Sequence, residues 1–144
     1  VTYCIRNDIG TLIVGYNTTF QRSSDLGRQM NQVFVGIPFG ILRRKLKYLC
    51  EMNGIRYVEQ EESYTSMASF WDLDEMPVYG EAGLVPPVFS GRRICRGLYQ
   101  DHSGRRINAD VNGALNIMRK CNIVSLRALY DRGDVDTPVR IRIA

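Results

Sequence analysis

The sequence predicts an α/β fold, and three observations carry that reading. Thr11 to Gln60 has the outline of a strand, a helix and a second strand, the crossover unit of a mixed or parallel sheet. From Asp110 the apolar positions Val111, Ala114, Leu115 and Met118 recur at i, i+3, i+4 and i+7, which makes a second amphipathic helix with an acidic residue at its positive end. Between them, over residues 67–91, prolines and glycines interrupt every period, so that stretch reads as an irregular insert.

Each element has its own reason. A β-branched and aromatic stretch from Thr2 breaks at Asn7-Asp8-Ile9-Gly10. Thr11-Leu12-Ile13-Val14-Gly15-Tyr16 is short, apolar and closed by glycine, as a buried strand reads. Residues 17–32 are polar, and Ser23, Ser24 and Asp25 suit the cap of a short surface helix. Pro38 suits the first turn of a helix reaching about Asn53, with Ile41, Leu42, Leu46, Leu49 and Met52 as its apolar stripe and Gly54 as its C-terminal cap. Ile55 to Gln60 reads as the second strand and Arg93 to Tyr99 as a further one. In the tail, Val139, Ile141 and Ile143 alternate with Arg140 and Arg142, predicting a short strand or an ordered arm.

At 144 residues with 44% hydrophobic and 24% charged residues, the chain is long enough for one core and too apolar for disorder. No apolar run approaches the roughly 18 residues of a membrane span, and no export signal opens the sequence. Cysteines at 4, 50, 95 and 121 include no close pair of the kind thiolate metal sites use, and they read as reduced thiols of a cytoplasmic protein. Residue 1 is valine, and Thr2 to Asp8 reads as the end of something, so the chain is expected to belong to a longer polypeptide. The net charge of +4 conceals a division. Residues 55–90 carry one basic and seven acidic side chains, whereas residues 91–120 carry Arg92, Arg93, Arg96, Arg105, Arg106, Arg119 and Lys120 against Asp101 and Asp110. A basic block beside an acidic one suits a metal-dependent enzyme acting on nucleic acid, and is also common on proteins that bind none.

Two constellations bear on chemistry. Glu61 and Glu62 follow a strand and Asp110 opens a helix, positions from which carboxylates converge on hard divalent ions. The plainer reading is a solvated glutamate pair and a favourable dipole partner. Asn112 and Asn116 lie one helical turn apart, either as an exposed polar stripe or as support for a carboxylate or a phosphate contact. His102, the one histidine, falls in the turn composition Asp101-His102-Ser103-Gly104. With no second histidine to pair with a nucleophile, a hydrolase of the triad type is disfavoured. Phe70, Trp71, Tyr79 and Tyr99 flank the insert and the basic block, either stacking on unpaired bases or anchoring a loop.

Three blocks taken together, Leu12-Ile13-Val14-Gly15-Tyr16-Asn17, Glu61-Glu62-Ser63-Tyr64-Thr65-Ser66 and Asn108-Ala109-Asp110-Val111-Asn112-Gly113-Ala114-Leu115-Asn116-Ile117, resemble the C-terminal half of the TnpB (OrfB) family of transposon-encoded, RNA-guided DNA nucleases. The likeness runs over nearly the whole chain. It implies a partial RNase H-like (RuvC-type) sheet domain: a strand/helix/strand part at 1–66, a degenerate zinc-ribbon insert at 67–107, and a C-terminal helix and tail at 108–144. It makes Asp110 the last metal-binding carboxylate. The usual second carboxylate is a glutamate at the end of the Ile13-Val14-Gly15 strand, where this chain has Gly15. Some relatives supply it just before Thr-Ser instead, which gives Glu62, with Glu61 as runner-up. The family's first catalytic aspartate would lie upstream.

The resemblance thus implies a two-metal Mg²⁺ site, incomplete in this chain, held by Glu62 and Asp110. It implies DNA and guide RNA as partners, which the basic block at Arg92, Arg93, Arg96, Arg105 and Arg106, together with Asn112, is expected to contact. The alternative is a nuclease-inactive nucleic-acid-binding relative or a decayed transposase fragment. Typical members also carry two Cys-x-x-Cys pairs for zinc. Here those stretches read Met67-Ala68-Ser69-Phe70-Trp71 and Gln100-Asp101-His102-Ser103, so no zinc is expected, and Phe70, Trp71 and Tyr99 are expected to form a small apolar cluster instead.

Overall fold

The computed structural model describes residues 1–17, 38–78, 86–133, 135 and 138, and the chain divides into two units, Val1–Gln60 and Glu61–Ala144. The expected cap at Ser23 to Asp25, Tyr79 and the arm from Thr137 to Ala144 fall outside the described residues, apart from Pro138. Among the described residues the architecture is mixed α/β, with a two-stranded and a three-stranded sheet.

In the first unit, α1 (Thr2–Arg6) precedes β1 (Thr11–Tyr16), α2 (Phe39–Met52) and β2 (Arg56–Glu61). The stretch before the Asn7–Gly10 break is therefore a short helix. The Asn7 side-chain amide closes it by donating to the Tyr3 carbonyl at 2.8 Å. β1 and β2 pair, and the Arg56 N–H donates to the Gly10 carbonyl at 2.9 Å. Both strands thus begin side by side and run parallel, as a strand–helix–strand crossover requires. α2 ends in a Schellman motif. The Ile55 N–H reaches the Cys50 carbonyl at 2.9 Å and the Gly54 N–H reaches Glu51 at 3.3 Å, with Gly54 at φ +68°, a conformation that costs glycine least.

The apolar stripe of α2 is a correction to the sequence reading. Ile41, Leu42, Leu49 and Met52 are between 42% and 65% exposed, and Cys50 is the buried residue of the helix. The core of this unit is Cys4, Cys50 and Ile55, with Val1, Ile9, Leu12 and Tyr57 packed on it. Helical spacing defines a stripe, but which side neighbouring elements occupy is a tertiary matter. Cys4 and Cys50 are both free thiols, and burial raises the Cys50 thiol above its ordinary range.

The second unit carries β3 (Arg92–Cys95), β4 (Leu98–Gln100), β5 (Arg106–Asn108), α3 (Ala109–Cys121) and α4 (Arg127–Arg132). The single strand expected over Arg93 to Tyr99 is a hairpin. It turns at Arg96-Gly97, where Gly97 takes φ +83°, and β5 adds to β4 antiparallel. α3 starts where the acidic residue and the periodicity place it. The Asn108 side chain caps it, accepting from the Asp110 and Val111 N–H groups at 2.9 and 3.1 Å.

The core of the second unit is Phe70, Tyr99, Ile107, Ala109 and Leu115. Trp71, Leu129 and Tyr130 pack against it. Phe70 stacks on Tyr130 with ring centroids 4.9 Å apart, and Trp71 meets both rings edge-on. The expected Phe70–Trp71–Tyr99 cluster is thus the centre of this unit, joined by α4.

What holds the insert to α3 is polar. Asn112 and Asn116 are fully buried. The Asn112 amide donates to the Ala68 carbonyl at 2.8 Å while its oxygen accepts from the Phe70 N–H at 3.1 Å. Asn116 donates to the Thr65 and Ala68 carbonyls at 3.0 and 2.7 Å. Truncating Asn112 would strand a buried donor and weaken satisfaction of a buried acceptor, each worth about 1–3 kcal/mol. Asn112→Ala is therefore expected to lower unfolding free energy by about 2–4 kcal/mol in urea melts, and a loss under 1 kcal/mol would contradict the assignment.

Candidate nucleic-acid interface and carboxylates

The residues that sequence reasoning grouped together separate into three places. The first is the outer face of the three-stranded sheet. Arg92 pairs with Gln100, and Gln100 with Arg106, so the three stand in one row across β3, β4 and β5. In the next row Arg93 pairs with Tyr99 and Tyr99 with Ile107, and the latter two are buried in the core. Alternation along the strands therefore directs Arg92 and Arg106 to the face opposite the core. Arg92, Arg93, Arg96 and Arg106 are exposed, and none makes an ion pair among the described residues.

Arg105 and Asn112 do different work from that expected of them. Arg105 lies 4.6 Å over the Trp71 ring, donates to the Gly133 carbonyl at 3.2 Å and is 3.9 Å from the Asp101 carboxylate. It clamps the β4–β5 turn to the aromatic cluster. Asn112, expected at the nucleic-acid surface, has no exposed area and its amide is spent on the backbone of Ala68 and Phe70. The polar stripe of α3 faces inward because the 65–70 segment has no strand or helix to satisfy its own backbone.

The second place is the carboxylate pair. Glu61 accepts from Lys120 Nζ at 2.5 Å and from the Ser63 N–H at 2.5 Å. Burial raises its carboxyl, but these hydrogen bonds outweigh that and hold it below the ordinary range. Glu62 is partly buried, and burial together with the Glu61 charge pushes its carboxyl up. Asp110 is exposed in the first turn of α3. Lys120 belongs to the last turn of that helix, ten residues on, or about 15 Å along its axis at 1.5 Å per residue. Glu61 is thus drawn towards the end of α3 opposite Asp110, and Glu62 adjoins Glu61. Among the described residues no three His, Cys, Asp or Glu side chains are gathered to hold a metal. The oxygen donors of Glu62 and Asp110 suit Mg²⁺ in kind.

The third place was read in the sequence as a turn. His102 occupies that turn and pairs through Nδ1 with Asp72, thirty residues away, whose other oxygen accepts from the His102 N–H at 3.1 Å. Asp74 accepts from the Ser69 N–H at 2.7 Å, the Ser90 N–H at 3.0 Å and the Ser90 hydroxyl at 2.6 Å. Asp101 accepts from the Ser103 hydroxyl at 2.8 Å and the Arg105 N–H at 2.7 Å. Three aspartates thus bind the turns on which the basic row is mounted. No spacing rule signals them, because each partner comes from a separate turn.

The model of one protein family, the Cas12f1-like, TNB domain, matches residues 39–117, more than half of the 144 residues. The chain belongs to the Cas12f1-like, TNB domain family. Residues 39–117 run from the first residue of α2 through the Asp110–Ile117 motif, so the Cas12f1-like region includes the glutamate pair, the insert, the basic row and the two buried asparagines. The match supports a TnpB/Cas12-related family. No curated protein matches the chain. No helix among the described residues is long and apolar enough to cross a membrane.

Glu62 gives this subsection its test. An acid whose folded pKa is raised above its unfolded value costs stability when ionised, and the cost vanishes as pH falls below the unfolded pKa. Glu62→Gln is therefore expected to raise the melting temperature at about pH 8, with the gain disappearing by about pH 4. An unchanged or lowered melting temperature at pH 8 would contradict the burial and repulsion described for Glu62.

Proposed function

We propose that this Cas12f1-like chain is a nucleic-acid-gripping part of a TnpB-like, RNA-guided, Mg²⁺-dependent DNA endonuclease associated with transposons. DNA and guide RNA are its partners. The observation that carries this reading is the Arg92–Gln100–Arg106 row, two guanidinium groups that form no ion pair among the described residues, on the solvent face of a sheet whose other face is core. Arginines that neutralise no carboxylate among the described residues are available to phosphates, and their planar forks suit phosphate oxygens. Arg93 and Arg96, at the sheet edge and in the hairpin turn, extend the same basic margin. Arg105 and Asn112 are left out of this surface because their groups are engaged within the unit.

The catalytic part of the proposal rests on the family relation and on Glu62. Its carboxyl is raised by burial, and a cation would relieve the charge that burial opposes. Asp110 is the other carboxylate of that proposal, and the ions would require further oxygen ligands besides these two. A nuclease-inactive nucleic-acid-binding relative is the second reading, favoured by the ion pair that occupies Glu61 and by Asp110 opening the far end of α3.

Fluorescence anisotropy with single-stranded DNA and RNA at a series of salt concentrations tests the proposal. The logarithm of affinity should fall with the logarithm of salt at about 0.7 per phosphate contact on a single strand. Arg92→Gln with Arg106→Gln should reduce that slope by up to about 1.4 and leave the melting temperature unchanged, since neither arginine holds an ion pair among the described residues. An unchanged slope with a lowered melting temperature would show that these arginines stabilise the fold and do not contact nucleic acid.

A further inference from the structure

A cavity of about 380 Å³ opens beside the β4–β5 turn, with Arg92, Gln100 and His102 on its walls and Phe89 at one end. A second, of about 520 Å³, shares Phe89, Gly91 and Arg92 with it and adds Met67, Arg93 and Tyr99. Met67, Arg93 and Tyr99 line only the second, whereas the cationic Arg92 and His102 both line the first groove. Its carboxylates are turned away or spent. Asp72 has a side chain only 6% exposed and is bound to His102. Asp74 is taken up by Ser69 and Ser90, and Asp101, itself on the groove wall, is 3% exposed and bound to Ser103 and Arg105. By contrast the His102 ring is 71% exposed. Since Nδ1 faces Asp72, the free ring nitrogen is Nε2, a donor to solvent whenever the imidazole is charged.

We infer that Arg92 and His102 together hold one phosphate of an unpaired nucleic-acid strand in this groove, with a base against Phe89, and that His102 makes the grip proton-linked. The inference deepens the nucleic-acid reading above and rests on it. The geometry is that of a carboxylate-backed histidine. Asp72 fixes the ring and favours its cationic form, and a phosphate on Nε2 would engage the side of the ring that Asp72 leaves open. The hydrogen bond and charge of Asp72 raise the His102 pKa, and Asp101 and Asp74 add to the rise. Arg92, across the cavity, and Arg105, bound to Asp101, are the cations facing the same turn. The groove is therefore most cationic below the raised pKa, and affinity declines as pH rises through it. Reciprocity requires a bound phosphate to raise the pKa further.

Because His102 is the only histidine in the chain, its ring proton resonance reports the titration without ambiguity. The probe is an eight-residue oligothymidylate added to the full chain, read by NMR titration and by anisotropy over two pH units either side of the midpoint. The expected result is an upward shift of the His102 midpoint by about half a unit at saturation. That equals an affinity about threefold higher at the acid end than at the alkaline end. His102→Gln should abolish the pH dependence, and Arg92→Gln should leave the free-protein midpoint in place while shrinking the oligonucleotide-induced shift. Binding that leaves the His102 midpoint unmoved, with His102→Gln equal to the parent at low pH, overturns the inference and leaves the nucleic-acid reading standing. No binding at any pH overturns both.

Discussion

Two buried side-chain amides decide how the second unit is built. The segment from Glu62 to Asp74 has turns but no ladder, so its backbone donors and acceptors need partners from elsewhere before they can be buried. Asn112 and Asn116 supply them from a single face of α3, one helical turn apart, to Thr65, Ala68 and Phe70. Everything central to the unit follows from where that segment is held. Phe70 is set down for Tyr130 to stack upon, which brings in α4. The Met67 carbonyl accepts from the Tyr99 hydroxyl at 2.7 Å, fixing the middle strand of the sheet, and burial of that phenol pushes its pKa up to about 12. With Tyr99 and Ile107 turned into the core, the row of Arg92, Gln100 and Arg106 must face solvent.

The charged residues divide along the same line. Those with a partner inside the unit do structural work: Lys120 holds Glu61, Arg105 bridges Trp71, Asp101 and the Gly133 carbonyl, and Arg119 donates to the Asp74 carbonyl. Arg92, Arg93, Arg96 and Arg106 have none among the described residues, and the three aspartates at 72, 74 and 101 are consumed by the turns that display them. Positive charge is thus displayed at the sheet, where Asp72, Asp74 and Asp101 beside it are internally satisfied. That arrangement favours polyanions over an internal pairing of the acidic and basic blocks.

Periodicity made some of this legible. β1, α2, β2 and α3 were recognisable because each has a local cause: an apolar run closed by glycine, a proline-led helix with glycine after its cap, and an acidic first turn followed by spaced apolar residues. Three blocks taken together, Leu12–Asn17 and those around Glu62 and Asp110, point to the TnpB family, and the Cas12f1-like match supports a TnpB/Cas12-related family. Three things were not legible, for physical reasons. The turn at Arg96-Gly97 was absorbed into a strand because only the glycine marks it. The stripe on α2 was assigned to a core on spacing, although burial depends on what lies opposite. The inward face of Asn112 and Asn116 ran against the expectation that polar residues on a helix face water, which fails where another segment needs its backbone satisfied. The Asp72–His102 pair joins separate turns, and nothing local announces it.

The most direct test of this account is amide hydrogen exchange at Phe70, whose N–H finds its acceptor in the Asn112 side chain and not in a backbone ladder. If the amide strap organises the unit, this turn residue should exchange as slowly as the central amides of α3, through global unfolding, and should lose that protection in Asn112→Ala. Exchange at the rate of an open loop, with α3 still protected, would contradict it.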